Sequence, residues 1–407
     1  MAKMYSTTKK YTLMGNTINR RTLLKRGAFL AGAIPFAGSL LNNLQAAPHA
    51  VTGTAFSPFS EEGWTEREIA LSEVVPLKAR LYANENPFGP SDKAKKAIVD
   101  TLPVSYQYPI RAMGDLTEKI ASFEKVKQEN ILLASGSSPL LMAAALAYFK
   151  PGCNVISGDP SYADLPSKAA KIGAKWVKVP LTPEYKLDLD AMEKAIDDNT
   201  VLVYICNPNN PTATVVDTAK LKSFCERVSK KVTVFIDEAY IDYLPDPQGT
   251  TLIPMVNTGA NIIVARTFSK LYGFAGLRIG YIVTQPETIK KLGLYTEASM
   301  SISTTTLQAA IASYQDREFL DSALRKTIAS KEYLYEVLKK EGYTYVPSST
   351  NFVLFPIKMD GKQFADEMMK RSVGVRFWKV NDKDYCRISI GRMDEMEAFA
   401  AAFKELS

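Results

Sequence analysis

Residues 201–240 decide the fold, and they read VLVYICNPNNPTATVVDTAKLKSFCERVSKKVTVFIDEAY. An apolar, β-branched run over residues 201–206 predicts a buried strand, and a second run follows over residues 232–236. The longer stretch between them has a helical pattern. A strand, a helix and a second strand in this order predict two parallel strands joined by a crossover helix.

The same alternation continues on both sides of this unit. Five more apolar runs, separated by longer helical patterns, cover residues 131–134, 154–157, 176–179, 262–265 and 278–283. Seven runs predict an α/β fold in which a mostly parallel seven-stranded sheet is sandwiched by helices. Because ligands of such sheets bind at the carboxyl ends of the strands, the residues that follow the runs are the candidates for a site.

The pattern changes near residue 321. A long helix is predicted over residues 324–342, and hairpin-like strands around residues 352–355 and 386–390, which together indicate a smaller α+β domain. A chain of 407 residues is long enough for a second domain. The predicted division is a signal segment, an N-terminal arm with part of the small domain, a large domain and a C-terminal small domain, over residues 1–47, 48–107, 108–320 and 321–407.

The leading segment resembles a twin-arginine export signal. Asn19-Arg20-Arg21-Thr22-Leu23-Leu24-Lys25 matches the motif, and an apolar stretch over residues 28–41 follows it. That stretch is shorter than the roughly 20 residues that span a bilayer, so no stable membrane insertion is expected after removal of the signal. The sequence therefore predicts a periplasmic protein, or a cytoplasmic one if the signal is not functional. A disordered basic tail and an uncleaved anchor are the alternatives.

Charge and composition exclude several classes of function. Seven of the 50 lysine and arginine residues precede the first acidic residue, Glu61, and the other 43 balance the 43 aspartates and glutamates. A neutral body lacks the basic surface that nucleic-acid binding requires. The only histidine, His49, lies in the leading stretch, and the four cysteines show no CxxC spacing. We therefore expect no histidine-based catalysis and no metal site in the body.

Two residues near strand ends have the types that pyridoxal phosphate chemistry requires. Asp237 follows the run 232–236 directly, where its carboxylate could keep a pyridine nitrogen protonated. Lys270, in Arg266-Thr267-Phe268-Ser269-Lys270, could form an imine with an aldehyde. Taken alone, Asp237 is as often a helix cap or a metal ligand, and Lys270 a surface lysine.

Other strand ends carry donors suited to a phosphate or an aromatic ring. Ser135-Gly136-Ser137-Ser138-Pro139 ends the first run and opens an apolar helix over residues 140–148, so its amides and hydroxyls would face an anion. Arg278 offers a rigid fork of donors. Asn207-Pro208-Asn209-Asn210-Pro211-Thr212, Tyr240 and Tyr162 could contact a bound ring. Helix caps, turns and packed rings are the alternatives for these motifs.

In this order, the motifs resemble the class I and II aminotransferases of the type I pyridoxal phosphate fold, specifically their histidinol-phosphate aminotransferase-like branch. The resemblance runs from about Arg80 to the C terminus, and its most specific parts are Ala83-Asn84-Glu85-Asn86-Pro87-Phe88-Gly89-Pro90, Asn210-Pro211-Thr212, Asp237-Glu238-Ala239-Tyr240-Ile241-Asp242-Tyr243 and residues 266–281. It implies a pyridoxal phosphate cofactor and a transaminase that moves an amino group between an amino acid and a 2-oxo acid or related carbonyl acceptor. A decarboxylase of phosphothreonine type on the same scaffold and a non-enzymatic, cofactor-bearing sensor are the alternatives.

The resemblance also implies individual roles. Lys270 would carry the cofactor as a Schiff base and move a proton, Asp237 would contact the pyridine nitrogen, and Asn210 and Tyr240 the phenolic oxygen. Tyr162 would stack on the ring. The residues that would hold the phosphate are Ser137, Ser138, Thr267, Ser269 and Arg278.

Substrate and partner contacts follow from the same resemblance. Arg387 would grip the substrate carboxylate, with Asn351, Asn84 and Asn210 beside it. Tyr108 resembles the tyrosine that reaches the phosphate of the neighbouring subunit, which implies a homodimer with shared active sites.

Three departures from the family pattern stand out. Ser138-Pro139 replaces an acidic pair, and Pro139 cannot donate an amide. Ala213 stands where the family's turn has glycine. Trp378 stands where the branch commonly has a second arginine, with Arg376 two places earlier, which suggests a different substrate tail.

Overall fold

A computed structural model describes residues 77–406 of the chain. Its strands are β1 (Ala79–Arg80), β2 (Ile131–Ala134), β3 (Asn154–Asp159), β4 (Lys175–Pro180), β5 (Thr200–Cys206), β6 (Thr233–Asp237), β7 (Ile262–Thr267), β8 (Gly280–Val283), β9 (Phe352–Pro356), β10 (Val373–Gly374), β11 (Arg376–Val380) and β12 (Lys383–Ser389). Seven of them form one sheet in the order β2-β8-β7-β6-β5-β3-β4. Strands β3 to β7 are parallel, and β8 runs antiparallel between β7 and β2. The predicted mostly parallel seven-stranded sheet is confirmed.

Helices cover the sheet. They are α1 (Asp92–Thr101), α2 (Ile110–Glu124), α3 (Ser138–Tyr148), α4 (Asp164–Lys171), α5 (Leu189–Lys194), α6 (Thr218–Val228), α7 (Pro247–Thr250), α8 (Pro286–Gly293), α9 (Thr304–Ser313), α10 (Arg317–Lys340), α11 (Gly361–Lys370) and α12 (Met393–Lys404). Successive residues of β6 point to opposite faces, so Val234 and Ile236 belong to one apolar core and Phe235 to another. The sheet is therefore buried on both faces, as its continuous apolar runs predict.

A second, antiparallel sheet follows in the C-terminal part, with the order β11-β12-β9. One of its faces contributes Val353, Phe355 and Ile388 to a third core, which also contains side chains of α10, α11 and α12. The short β1 pairs with β10 in parallel. The predicted boundaries at residues 107 and 320 stay predictions.

Two predicted elements begin or end at other residues than predicted, and one strand was missed. The strand predicted over residues 278–283 begins at Gly280, because Arg278 has a left-handed backbone with φ of 58°. The helix predicted over residues 324–342 begins at Arg317, after Asp316, and ends at Lys340. The strand β11 was not predicted, although Asn381 and Asp382, both with positive φ, form a turn typical of a hairpin with β12.

The predicted export signal and residues 48–76 of the predicted arm lie outside the described residues. Within residues 77–406, no helix is both long enough and apolar enough to cross a membrane. The four cysteines are buried and free.

Candidate active site

The predicted strand-end motifs meet at one edge of the large sheet. Strands β5, β6 and β7 are parallel, and Asp237 at the end of β6 is paired in register with Cys206 on one side and Ala265 on the other. Strand β2 also ends at this edge, because Ala134 and Thr267 both pair with Gly280 of β8. The fold therefore places the serine-rich loop, Asp237 and the Lys270 loop beside one another.

One corner of this edge is built to receive a phosphate. Arg278 Nη1 lies 3.3 Å from Ser269 Oγ, which accepts a second hydrogen bond from Thr267 Oγ1 at 2.9 Å. A Cβ atom added to Gly136 would collide with Arg278 Nη2, so the guanidinium lies directly against the serine-rich loop. Ser137 and Ser138 stand in that loop at the N terminus of α3, where backbone amides favour an anion.

Asp237 lies next to this corner and is buried, with 2% of its surface exposed. Its Oδ1 accepts a hydrogen bond from the Ala239 amide at 3.0 Å, and its Oδ2 accepts one from the Tyr204 hydroxyl at 2.9 Å. Burial raises the pKa of Asp237 to about 6, while both hydrogen bonds and the charge of Lys270 oppose that rise. Asp237 is thus mainly ionised at neutral pH and suited to hold a protonated ring nitrogen.

Tyr162 lies near the same carboxylate. Its pKa is raised well above the usual value, first by burial and then by the charges of Asp164 and Asp237. Tyr162 therefore stays neutral near Asp237, and its stacking role stays a prediction.

Lys270 and Tyr240 are joined through Asn84. Lys270 Nζ donates to the Asn84 carbonyl at 3.3 Å and lies 5.3 Å from the centre of the Tyr240 ring. Asn84 Nδ2 donates to the Tyr240 hydroxyl at 3.0 Å, and Asn84 Oδ1 accepts from Ser389 Oγ at 3.0 Å. Asn84 has a left-handed backbone with φ of 54°, a conformation that is often found in functional sites.

Arg387, which is predicted to bind the substrate carboxylate, belongs to the three-stranded sheet. Arg387 is buried, with 3% exposure, and its two terminal nitrogens donate to Asn210 Oδ1 at 2.7 Å and to the Tyr82 carbonyl at 2.8 Å. The rings of Phe352 and Trp378 flank its guanidinium carbon at 5.5 Å and 5.7 Å. Aromatic rings at these distances attract the guanidinium cation and help to hold it in place.

Asn351 completes the link between the two sheets. Its Nδ2 donates to the carbonyls of Asn84 and Glu85, each at 3.1 Å, and its own carbonyl accepts from the Ile390 amide at 2.7 Å. The turn that carries Asn351 also donates a hydrogen bond, from the Ser349 amide to the Ala213 carbonyl at 2.9 Å. Asn351 therefore supports the backbone that Lys270 contacts.

Tyr108 is the one predicted site residue that lies apart from this cluster. Its side chain is 81% exposed on the connection between α1 and α2. The predicted role of Tyr108 concerns a neighbouring subunit, so a single chain does not test it.

Sequence reasoning missed Tyr204 and Ser389. Tyr204 precedes the end of β5 by two residues and points to the same face of the sheet as Asp237, since Cys206 is the register partner of Asp237. Its position in an apolar run concealed it. Ser389 stands two residues after Arg387 in β12, hence on the same face, and that alternation could have identified it.

A buried ionic cluster beneath the site was also missed. Arg266 donates to Glu238 at 2.9 Å and lies 3.5 Å from Glu124, which accepts hydrogen bonds from the hydroxyls of Tyr281 and Tyr314. Glu238 directly follows Asp237, and Arg266 precedes Thr267, so the cluster fixes two strand ends that carry site residues. Of the adjacent residues Asp237 and Glu238, only Asp237 was predicted to act in the site.

Comparisons with known proteins agree with this geometry. The family model for aminotransferase class I and II matches residues 78–403. The histidinol-phosphate aminotransferases of Moorella thermoacetica and Brevibacillus brevis are each 34% identical to this chain. They match over 84% of it and over 87% and 92% of their own lengths, respectively.

Solved structures lead to the same family. The crystal structure of histidinol-phosphate aminotransferase from Sinorhizobium meliloti in complex with pyridoxal-5'-phosphate superposes with a TM-score of 0.78 and 26% identity, covering 88% of this chain and all of that one. The residues that surround Asp237 and Lys270 fit the same cofactor, since a donor-rich corner, a buried carboxylate and a lysine lie side by side. This chain belongs to the class I and II aminotransferase family and is a pyridoxal phosphate-dependent transaminase of the type I fold.

Proposed function

We propose that the transaminase binds its amino donor and its 2-oxo acid acceptor through Arg387. Two sets of contacts support this proposal. Arg387 binds Asn210, and Lys270 and Asn351 both donate to the Asn84 carbonyl. A carboxylate on the Arg387 fork would bring the adjoining Cα toward Lys270 Nζ.

The cofactor site follows from the same cluster. Bound pyridoxal phosphate supplies an aldehyde carbon and an electron-withdrawing ring. Lys270 Nζ binds it covalently and, when free, moves the proton of the donor's Cα. Asp237 would keep the pyridine nitrogen protonated, Tyr240 and Asn210 would bind the phenolic oxygen, and Tyr162 would pack on the ring.

The phosphate end is held separately. The donors would be Thr267, Ser269 and Arg278, which contact one another beside Gly136, together with Ser137 and Ser138 at the start of α3. This division lets one end of the site fix the cofactor while Arg387 fixes the substrate.

The substrate tail is expected to differ from that of the named relatives. Trp378 is 7% exposed and lies beside Arg387, while Arg376 lies on the same sheet face at 5.9 Å from the Trp378 ring. An indole gives a tail an apolar surface and a single donor, where a phosphate prefers several cationic donors. We therefore propose that an α-amino acid is a better donor than histidinol phosphate.

A substrate panel tests the reaction. The protein loaded with pyridoxal phosphate is mixed with single amino acids, histidinol phosphate and phosphothreonine, while the cofactor's visible absorbance and carbon dioxide are followed together. We expect an α-amino acid to change the absorbance without carbon dioxide release, and a 2-oxo acid to restore it. Carbon dioxide release without need of an acceptor would instead establish a decarboxylase, and a faster response to histidinol phosphate would overturn the proposed donor preference.

We further propose a homodimer in which Tyr108 completes the phosphate site of the partner. Five apolar or aromatic side chains are exposed within nine residues, namely Leu102, Val104, Tyr106, Tyr108 and Ile110. Exposed apolar patches of this kind mark protein interfaces. Light scattering should give twice the chain mass, and Tyr108→Phe should weaken cofactor binding; a monomer with full cofactor affinity would contradict the proposal.

We also propose export by the twin-arginine route, on the basis of Arg20 and Arg21 and the apolar stretch that follows them. Cell fractionation should find the protein in the periplasm and should find the Arg20→Lys, Arg21→Lys variant in the cytoplasm. Equal distribution of the two proteins would contradict export by this route.

A further inference from the structure

Tyr204 reaches the cofactor-binding carboxylate from inside the sheet. Its register partner on β6 is Phe235, so Asp237 is the diagonal neighbour two residues further along the same face. A tyrosine is long enough to span that diagonal, and its hydroxyl lies 2.9 Å from Asp237 Oδ2. The side chain is fully buried, so no solvent molecule competes from its own side.

The direction of this hydrogen bond is fixed by burial. The pKa of Tyr204 is raised well above its usual value, first by burial and then by the charge of Asp237. The hydroxyl therefore keeps its proton and donates it to the carboxylate. With Ala239 donating to Oδ1, each oxygen of Asp237 has one protein donor, and lone pairs remain for a ligand.

We infer that Tyr204 is a positioning residue of the cofactor site, whose hydroxyl holds the Asp237 carboxylate in its ionised form and in a fixed orientation. Tyr204 would not touch the cofactor and would act only through Asp237. This inference concerns cofactor binding and does not depend on the identity of the amino donor.

The other groups that face Asp237 do not replace this donor. The charge of Lys270 lowers the pKa of Asp237, but Lys270 is no longer a free amine once it has reacted with the cofactor. The charge of Asp164 raises the pKa of Asp237. Tyr162 and Cys206 both have raised pKa values from burial and stay neutral. The Cys206 thiol donates to the Pro208 carbonyl instead.

The alternative role is packing alone, since the Tyr204 ring lies 5.8 Å from the Phe235 ring. Tyr204→Phe separates the two roles because it keeps the ring and removes the hydroxyl. We expect the dissociation constant of pyridoxal phosphate to rise roughly 10-fold at pH 7, as the loss of one hydrogen bond to a charged group would give. The acid-side midpoint at which the cofactor's visible absorbance is lost should move up by about one pH unit, because Asp237 would then be protonated at a higher pH.

Two further variants make the test specific. Tyr243→Phe removes another buried tyrosine hydroxyl, one that has no hydrogen-bond partner among residues 77–406, and should leave the cofactor affinity unchanged. In an Asp237→Asn background, the additional change Tyr204→Phe should alter the affinity less than about twofold, because the charge through which Tyr204 acts is gone. Melting temperatures of the cofactor-free variants show that each is folded.

The outcomes separate the two roles. A loss of affinity and a shifted midpoint that depend on Asp237 would support the inference. Unchanged affinity and midpoint in Tyr204→Phe, or an equal loss in both backgrounds, would overturn it and assign Tyr204 to packing.

Discussion

The two sheets contribute to the site in different ways. The seven-stranded sheet presents Asp237 and Thr267 at the ends of β6 and β7, whereas the three-stranded sheet presents Arg387 from within β12. In the parallel sheet both faces are core, so only strand ends are available for chemistry. In the antiparallel sheet one face belongs to the third core, and the opposite face, which is also buried, places the mid-strand residue Arg387 against Asn210. In the proposed function, strand ends bind the cofactor and a sheet face binds the substrate.

Replacing Arg387 should have the largest effect, and that effect should fall on substrate binding. Arg387→Ala removes a buried fork of charged donors, and we expect kcat/KM for the amino donor to fall by roughly 1,000-fold. Cofactor affinity, measured by absorbance titration, should change little. Arg387→Lys keeps the charge but lacks the fork of donors, so its kcat/KM should lie between those of the unchanged protein and Arg387→Ala. A comparable loss of cofactor affinity in Arg387→Ala would contradict the division of roles.

Replacing Arg278 should weaken cofactor binding. Arg278→Ala removes the guanidinium beside Gly136, and we expect pyridoxal phosphate to bind roughly 100-fold more weakly. Pyridoxal, which lacks the phosphate, serves as the matched ligand. It should bind with equal affinity to the unchanged protein and to Arg278→Ala. If pyridoxal lost as much affinity as pyridoxal phosphate, Arg278 would not be a phosphate ligand.

Lys331 supports the three-stranded sheet from α10. Its Nζ donates to the carbonyls of Ser348 and Thr350, in the turn that carries Asn351, and burial lowers its pKa to about 8. Between pH 8 and 10.5 the unfolded chain binds more protons at this group than the folded one, so the free energy of unfolding should rise with pH across that window. The rise in the free energy of unfolding should be about 3 kcal/mol and should be absent in Lys331→Met, as measured by denaturant titration. Parallel pH profiles for the two proteins would argue against a buried, charged Lys331.

The smallest effect concerns Ala213, in the turn after β5. Its φ of 60° is a left-handed conformation, which costs a residue with a Cβ about 1 kcal/mol relative to glycine. Ala213→Gly should raise the free energy of unfolding by up to that amount. Ala398→Gly, within α12, serves as the control and should lower it by roughly 1 kcal/mol. A lower stability for Ala213→Gly would show that the turn is not strained by its alanine.

The same contrast explains what the sequence could predict. Apolar runs located all seven strands of the large sheet, and the polar residues after them, such as Asp237, were found because strand ends are marked by a change of composition. Strand β11 was missed because a short strand with one exposed face has mixed composition. Tyr204 was missed because its hydroxyl acts from within an apolar run, and the role of Tyr108 requires a second chain.

Lys270 is proposed to hold pyridoxal phosphate in this chain. Reducing the loaded protein with borohydride fixes the cofactor to the amine that binds it, and peptide mass spectrometry then identifies that amine. We predict the added mass on the peptide that contains Lys270, and none there in Lys270→Ala. The same mass on another lysine, such as Lys331, with Lys270 unmodified, would show that Lys270 is not the residue that binds the cofactor.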